Sequence, residues 1–365
     1  MSARVSPFRQ ERTLGAGMAI PSYVPGLPAK HAALAGFKHV ELPDKHRVQP
    51  LWTIPPPDRT AELVEYLRGK ARALRNGPGL HPGWLDARNA EGELDLVVEH
   101  VWQEVCATLL GTALRPVTGP ERDPAQQTAA AETAREWGDG LGVRVALHAG
   151  PDADLRDRCR ELIGRLRGRD PELDLFLDLY DIGNADAAVA RALRGWREVG
   201  TLAEWRTVTL LGGSFPWGAK ELKDHDLTEW PRAEWQVWQL VRDRIEPQAP
   251  EITYGDYSTV HPRSGDAPPG GRIFYETPRY TTAEHFLIGK GAQWGRGEES
   301  LMKTLAARIA GDPEFRTSRS DGERWLQNQA DPVVSTNPGN PSVWVEKGHI
   351  QHLTFIADQM REPGR

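Results

Sequence analysis

Short apolar segments alternate with longer amphipathic segments over most of this 365-residue chain. Several of the short segments are continuous apolar runs, which is typical of parallel strands that helices cover on both faces. Alternation of this kind favours an α/β fold with a parallel sheet. We therefore predict an irregular TIM-type (β/α)8 barrel with a C-terminal helical cap, because one barrel needs about 250 residues.

Eight segments are predicted to be the barrel strands: Tyr23–Pro25, Val48–Ile54, Leu114–Thr118, Val143–Leu147, Leu173–Leu179, Arg206–Leu211, Glu251–Tyr254 and Arg272–Thr277. Helices are predicted over residues 58–76, 94–110, 124–138, 152–167, 185–200 and 228–246. Asp58 and Thr228 are suitable N-caps, and Pro231 would lie early in its helix. The Pro- and Gly-rich residues 261–271 predict an irregular side of the barrel, and a hairpin across 278–281 leads to Phe286–Ile288.

The predicted organisation has three parts: a flexible leader over residues 1–20, the barrel over 21–290, and a helical cap over 291–365 packed on the barrel. The cap contains helices over about 298–310, from Asp321, and from Gly348 to Met360. The chain has 13 tryptophans, and most are expected to be packing anchors.

Composition and charge exclude several classes of protein. The net charge is −6, with 45 basic against 51 acidic residues and no long basic run, which disfavours broad binding to nucleic-acid phosphates. No apolar stretch has the roughly 18 residues of a membrane span, and the first 15 residues lack the apolar core of a secretory signal. The two cysteines cannot form a disulfide framework. We therefore expect a soluble, cytoplasmic protein.

Polar residues at the predicted strand ends are the first candidates for a functional site, because the reactive groups of a parallel barrel gather there. These ends supply Thr53, Thr118, His148, Asp178, Ser214, Asp256 and Glu276. Three carboxylates and an imidazole can perform acid–base chemistry or hold a divalent ion, but such carboxylates also cap helices and pair with arginine. Ser214 follows two glycines whose N–H groups can face an anion, although a plain tight turn is the simpler interpretation.

His349 and His352 form the second group of candidates. On a helix they lie beside Leu353 and Ile356, so both imidazoles are expected to face inward. Two histidines without a nearby cysteine do not make a zinc site, and satisfied half-buried histidines are an equal alternative. We predict catalytic roles for Asp178, His148, Asp256, Glu276, His349 and His352, and ligand-binding roles for Lys30, Ser214, Lys290, Ser318, Arg319 and Asp321. The sequence assigns no metal ligands and indicates no particular cofactor.

The chain resembles the phage and bacterial Beta protein family over nearly its whole length. The resemblance is carried by Tyr23–Pro25 with Lys30, Pro50–Pro55, the strand that ends at Asp178, Phe215–Pro216, Gly255–Tyr257, Tyr275, Phe286–Gly291, Ser318 with Asp321, Trp344, Gly348–His349 and His352–Thr354. The family pattern is similar to Asn-His-His near the end, whereas Ile350 and Gln351 separate the histidines here. The resemblance implies no reaction, and the occurrence of the family in phage and bacterial genomes implies a role in phage–host conflict or anti-phage defence.

Two hypotheses for function follow. The first is a barrel enzyme or ligand binder that acts on a small anionic ligand, phosphate- or nucleotide-like, because histidine and arginine near a closed mouth favour phosphate. The second is a non-catalytic protein-interaction module that uses the barrel as a scaffold and docks a protein partner through exposed tryptophans. The first requires at least three candidate side chains to converge on one point, and the second requires an exposed tryptophan patch.

Overall fold

A closed barrel of eight parallel strands forms the centre of the computed structural model, which describes residues 20–57, 62–77, 81–106, 114–137, 140–147, 152–166, 171–246, 250–266, 275–291, 299–334 and 339–361. Seven strands follow one another around the barrel: β1 (Tyr23–Pro28), β2 (Leu51–Thr53), β3 (Gly83–Asp86), β4 (Leu114–Thr118), β5 (Leu141–Ala146), β6 (Leu173–Asp181) and β7 (Trp205–Gly213). The next strand, β8 (Leu227–Pro231), lies outside the barrel, and β9 (Ile252–Asp256) closes it by pairing with both β7 and β1. The predicted barrel is therefore confirmed.

Helices surround this barrel. The first nine are α1 (His31–His39), α2 (Leu42–Lys45), α3 (Leu63–Asn76), α4 (Leu94–Val97), α5 (Gln103–Cys106), α6 (Pro124–Trp137), α7 (Leu155–Leu166), α8 (Ala185–Val199) and α9 (Ala233–Arg242). A π-helical turn over Val98–Trp102 joins α4 to α5, and short 3-10 helices lie at Glu91–Glu93, Ala219–Glu221 and Pro262–Gly265. None of the helices in the described part of the chain has the length and hydropathy needed to cross a membrane.

The C-terminal region adds a small sheet and three helices. Strands β10 (Arg279–Thr281) and β11 (His285–Gly289) pair antiparallel with each other, and β11 also pairs with β8. They are followed by α10 (Glu299–Ala310), α11 (Asp321–Ala330) and α12 (Pro341–Gln359). A second hydrophobic core joins the sheet to α10, α11 and the start of α12. The rest of α12 packs on α1 and β1, so this helix belongs to the layer that covers the barrel.

Three predicted elements are wrong: the eighth barrel strand, the helix predicted from Thr228, and the helix predicted from Gly348, which already begins at Pro341. The eighth barrel strand is β3 and not Arg272–Thr277: residues 272–274 lie outside the described part, and 275–277 belong to none of the barrel strands. The four-residue β3 begins with glycine, and its apolar signal is too short to detect. The helix predicted from Thr228 begins only at Ala233, because Thr228 and Pro231 lie in β8. Proline is tolerated there since β8 is an edge strand.

Other predictions agree with the structure where it describes them. The helices predicted over 58–76, 94–110, 124–138, 152–167 and 185–200 are present in their described parts, although Asp58 lies outside them. The hairpin is also present, but Arg279–Thr281 is one of its strands and residues 282–284 form the turn. Of the predicted leader over residues 1–20, only the last residue lies within the described part.

Side chains along each strand alternate between the barrel interior and the helical layer. Val24, Trp84 and Phe176 belong to the interior core, whereas Tyr23 and Tyr254 belong to the core shared with the helices. This alternation assigns the predicted carboxylates to opposite sides of the wall. Asp178 has the parity of Phe176 and points inward, whereas Asp256 has the parity of Tyr254 and points toward the helices.

Candidate functional site

The C-terminal end of the barrel interior contains a buried ionic cluster. Arg144 on β5 donates to Asp86 Oδ2 at 2.6 Å and, through Nε, to Asp178 Oδ2 at 2.9 Å. The Tyr257 hydroxyl donates to Asp178 Oδ1 at 2.8 Å and lies 2.7 Å from Arg144 Nη2. Arg122 adds a second guanidinium, 3.2 Å from Asp86 Oδ1. Two carboxylates therefore meet two guanidinium groups, and the cluster is balanced in charge.

Electrostatics keep the Asp86 carboxyl ionised. Burial alone would raise the pKa of Asp86, but the guanidinium groups of Arg122, Arg144 and Arg88 lower it to about 2. Burial raises the pKa of Tyr257 well above its usual range, so its hydroxyl stays protonated and can donate. The hydrogen bonds from Arg144 and Arg122 to Asp86 are consequently charge-assisted at neutral pH.

Residues 258–266, which we call the mouth segment, cover the cluster. Lys30 Nζ donates to a backbone carbonyl of this segment at 2.6 Å. Arg88 makes a bidentate contact with the Asp266 carboxylate at 2.6 and 2.8 Å, and the Tyr180 hydroxyl donates to the same carboxylate at 2.5 Å. The segment thus closes the barrel mouth over the ions. Lys30, predicted as a ligand-binding residue, holds this cover in place.

Asp256 is the centre of a second network on the outer side of the barrel wall. Its Oδ1 accepts from the Tyr23 hydroxyl at 2.5 Å and from Ser258 N at 2.8 Å. Its Oδ2 accepts from the Tyr254 hydroxyl at 2.8 Å and from His352 Nε2 at 2.9 Å. Burial would raise the pKa of Asp256, but His352 and the hydroxyl of Tyr23 lower it. Four donors occupy the carboxylate, which makes it an anchor for α12.

Both C-terminal histidines face inward, as predicted. His352 Nδ1 lies 2.8 Å from Thr281 Oγ1, and His349 Nδ1 lies 2.8 Å from Ser258 Oγ. Burial and the nearby Arg279 guanidinium lower the pKa of His349 to about 3, so this imidazole is neutral at physiological pH. The histidines join α12 to the end of β9 and to the small sheet. They do not share a point with Asp178, which lies on the other side of the wall.

The remaining predicted residues are not brought to the mouth. Lys290, Ser318, Arg319 and Asp321 each have a partner in the outer part of the molecule: Asp224, Gln327, Asp44 with Asp358, and Lys347, respectively. Glu276 is buried beside Gly291, and burial raises its pKa. His148 lies outside the described residues.

An open cleft of about 360 Å³ lies on the C-terminal rim, beside the mouth segment. The ends of β6 and β7 form one wall, with Asp181 and Ser214, and the mouth segment forms another, with His261 and Arg263. The indole of Trp217 lies 5.0 Å from the imidazole of His261 and 6.0 Å from the guanidinium of Arg263. We call this site the rim cleft. Ser214 is the predicted residue that reaches it.

His261 has a defined tautomer in the rim cleft. Its Nδ1 accepts from the backbone N–H of Arg263 at 3.1 Å, so the hydrogen of the neutral ring is on Nε2, which faces Asp181 at 3.4 Å. Burial lowers the pKa of His261; Asp181 opposes this effect, and Arg263 adds to it. A neutral imidazole oriented by a carboxylate can donate or accept a proton. No group of three or more potential ligands in the described ranges is placed to hold a metal ion.

The profile of one protein family, described as Beta protein, matches residues 23–358, from β1 to α12. The chain belongs to the Beta protein family. The resemblance seen in the sequence is thereby confirmed. No protein with curated information matches the chain.

Several residues of the buried ionic cluster and of the rim cleft were not predicted from the sequence of this Beta protein family member. Asp86 is the last residue of β3, a strand that was not predicted. Arg144 lies inside an apolar run, where its pattern indicates only a strand position. His261 and Arg263 lie in the segment rich in proline and glycine, which was interpreted as an irregular connection. A search for ionisable residues after every short apolar run would have found Asp86.

Proposed function

We propose that this protein binds a small anionic ligand, phosphate- or nucleotide-like, in the rim cleft, where His261 and Asp181 can act as an acid–base pair. The observation that carries the proposal is the guanidinium of Arg263, an exposed residue on the wall of the cleft. Within the described residues its side chain contacts the face of Trp217 and forms no ion pair with a carboxylate. A cation of this kind beside a cleft favours an anion.

The rim cleft supports the proposal better than the barrel interior does. Arg88, Arg122 and Arg144 at the mouth are each paired with a carboxylate, and the mouth segment covers them. An anion there would have to displace an aspartate from an ion pair at the mouth. Breaking a buried ion pair costs about 3–5 kcal/mol. The cleft volume of about 360 Å³ is in the range of small-molecule sites.

The aromatic side chains of the cleft favour a ligand with a planar group. Trp217 is 36% exposed and lies at an interplanar angle of 64° to the ring of His261. Bases stack on such rings with about 1–3 kcal/mol per base, independently of their sequence. A nucleotide would thus place its base on Trp217 and its phosphate near Arg263.

A protein-docking scaffold, the second hypothesis, requires a patch of exposed tryptophans. Among the tryptophans of the described residues, Trp217 is the exposed one, and it lies inside the cleft. This distribution supports the small-ligand hypothesis. A cytoplasmic location stays a prediction from the composition of the sequence. A role in phage–host conflict or anti-phage defence is proposed on the family resemblance alone.

The proposal is tested by thermal denaturation with inorganic phosphate, nucleoside monophosphates and the matching nucleosides. A ligand at 100 times its Kd stabilises the folded protein by about 2.7 kcal/mol. We expect nucleoside monophosphates to raise Tm, nucleosides to have little effect, and Arg263→Gln to remove most of the rise. Arg68→Gln is the control, because Arg68 is a half-exposed arginine on α3. No stabilisation by any anion, or an equal rise in Arg263→Gln, would reject the proposal.

A further inference from the structure

A buried carboxyl group lies directly behind one wall of the rim cleft. Ser214 lines the cleft at the end of β7, and Glu234 is in the first turn of α9, 3% exposed. The Ser214 hydroxyl is in a short hydrogen bond with Glu234 Oε2. The same hydroxyl lies 2.9 Å from the carbonyl oxygen of Pro231 and 3.2 Å from the N–H of Ala233. This one oxygen therefore connects the buried carboxyl to the cleft wall.

Counting protons around Ser214 Oγ indicates that Glu234 is protonated. The hydroxyl has one hydrogen, and the N–H of Ala233 already donates to its oxygen. If Glu234 is ionised, that single hydrogen faces two acceptors, Glu234 Oε2 and the Pro231 carbonyl oxygen. If Glu234 is protonated, it donates to Ser214 Oγ and the serine hydrogen goes to Pro231. Each donor and acceptor around Ser214 Oγ then has a partner.

On the side of Glu234 that faces away from Ser214, the guanidinium of Arg232 can pair with the ionised carboxylate. Glu234 Oε1 lies 3.8 Å from Arg232 Nε, and in the described structure neither atom has a hydrogen-bond partner, nor has Arg232 Nη2. The remaining nitrogen of Arg232 donates to the backbone carbonyls of Thr282 and Ala283 at 2.8 and 2.9 Å. Arg232 is held in place, and a small shift would turn this contact into a charge-assisted hydrogen bond once Glu234 loses its proton.

Burial and the charged groups around Glu234 bring its pKa close to neutral pH. Burial is the largest cause that raises the pKa of Glu234; the Asp256 carboxylate adds to it, Arg232 and the contact with Ser214 oppose it, and the resulting pKa is about 7. Tyr254 on β9 also faces this group and stays protonated, because burial and Asp256 raise its pKa well above the usual range. A group that titrates near neutral pH is suited to proton transfer.

We propose that Glu234 is a proton donor to the ligand of the rim cleft and that the Ser214 hydroxyl relays the proton; this rests on the proposed function. The proton on Glu234 Oε2 moves to Ser214 Oγ. The hydrogen of Ser214 moves from Pro231 to an oxygen of the ligand. The ligand gains one proton, Ser214 stays neutral, and Glu234 becomes a carboxylate that faces Arg232.

Infrared spectroscopy tests the resting state of Glu234 without any ligand. We expect the wild-type protein below neutral pH to show a carboxylic-acid carbonyl band that Glu234→Gln lacks and that disappears as the pH rises through about 7. The glutamine amide can also donate to Ser214, so this variant keeps the contact. Glu229→Gln, at an exposed position of β8, is the control and should keep the band. Equal bands in wild type and Glu234→Gln would overturn the proposal.

A pH jump followed by time-resolved infrared spectroscopy tests the relay. Ser214→Ala should slow the deprotonation of Glu234 by about a hundredfold, the lower range of a positioned proton-transfer group, and Ser214→Thr should restore it. Equal rates in Ser214→Ala and wild type would overturn the relay. If neither phosphate nor a nucleoside monophosphate binds, the proposed function fails and the role toward a ligand fails with it, whereas the infrared band still decides whether Glu234 holds a proton.

Discussion

Replacing Asp86 by asparagine removes one carboxylate from the buried cluster at the barrel mouth and changes few atoms otherwise. Asp86 is fully buried and contacts Arg144 and Arg122. Its pKa is about 2 in the folded protein, and an unfolded aspartate has a pKa of about 3.9. Because the folded pKa is the lower one, Asp86 stabilises the fold above the unfolded pKa. This contribution is lost as the pH falls from about 4 through about 2.

The magnitude follows from the size of the shift. A difference of about two pKa units corresponds to about 2.5 kcal/mol of stability at pH 7, at about 1.36 kcal/mol per unit. Asparagine also leaves the guanidinium groups of Arg144 and Arg122 with one fewer counter-charge, and breaking a buried ion pair costs about 3–5 kcal/mol. We therefore expect Asp86→Asn to lower the free energy of unfolding by about 2.5 to 5 kcal/mol at pH 7.

Urea unfolding between pH 3 and pH 7 measures both the loss and its dependence on pH. The gap between wild type and Asp86→Asn should be largest at neutral pH and should narrow on acidification, because wild type alone loses the contribution of Asp86. Asp157→Asn is the control: it removes an exposed carboxylate paired with Arg160, and we expect a loss below about 1 kcal/mol. The electrostatic account would be refuted if Asp86→Asn lowered the free energy of unfolding by no more than Asp157→Asn does, or if its loss stayed constant with pH.

Three other substitutions test the rest of the structure. His352→Ala leaves Asp256 one donor short, so urea unfolding should show a loss of about 2–5 kcal/mol, and a smaller loss for His352→Gln, whose amide can donate. Equal losses would count against this hydrogen bond. Arg88→Gln removes the bidentate contact with Asp266, so amide hydrogen exchange should accelerate in the mouth segment, whereas unchanged exchange would show that other contacts hold the cover. Gly142→Ala places a Cβ 2.9 to 3.1 Å from three interior side chains, and thermal denaturation should show a loss of about 1–3 kcal/mol; an unchanged Tm would mean that the interior has room.

Much of the fold was predictable because the signals for strands and helices are local. The apolar run at Leu173–Leu179 and the amphipathic pattern at 185–200 each lie within one element, and both are where the pattern indicated. The failures have the same origin. Gly83–Asp86 is too short to carry a pattern, and Thr228–Pro231 contains residues that suit a helix start as well as an edge strand.

The candidate site was less predictable because its contacts join distant parts of the chain. Asp178 was expected at a strand end, but β6 continues from it to Asp181; both histidines were correctly expected to face inward. The sequence does not show that Arg144, 58 residues after Asp86, neutralises it, or that His352 binds a carboxylate 96 residues before it. It also does not show on which side of the barrel wall each carboxylate lies.

Most of the strands and helices and the inward face of the last helix follow from local periodicity, since backbone geometry alone relates neighbouring residues within an element. The partners of each buried charge depend on barrel closure and on the alternation of each strand within it. Those two features placed Asp178 in the interior, Asp256 under α12, and Arg263 beside an open cleft. A buried ion must find a counter-charge or a donor wherever the fold brings one, and only the packed structure determines which residue that is.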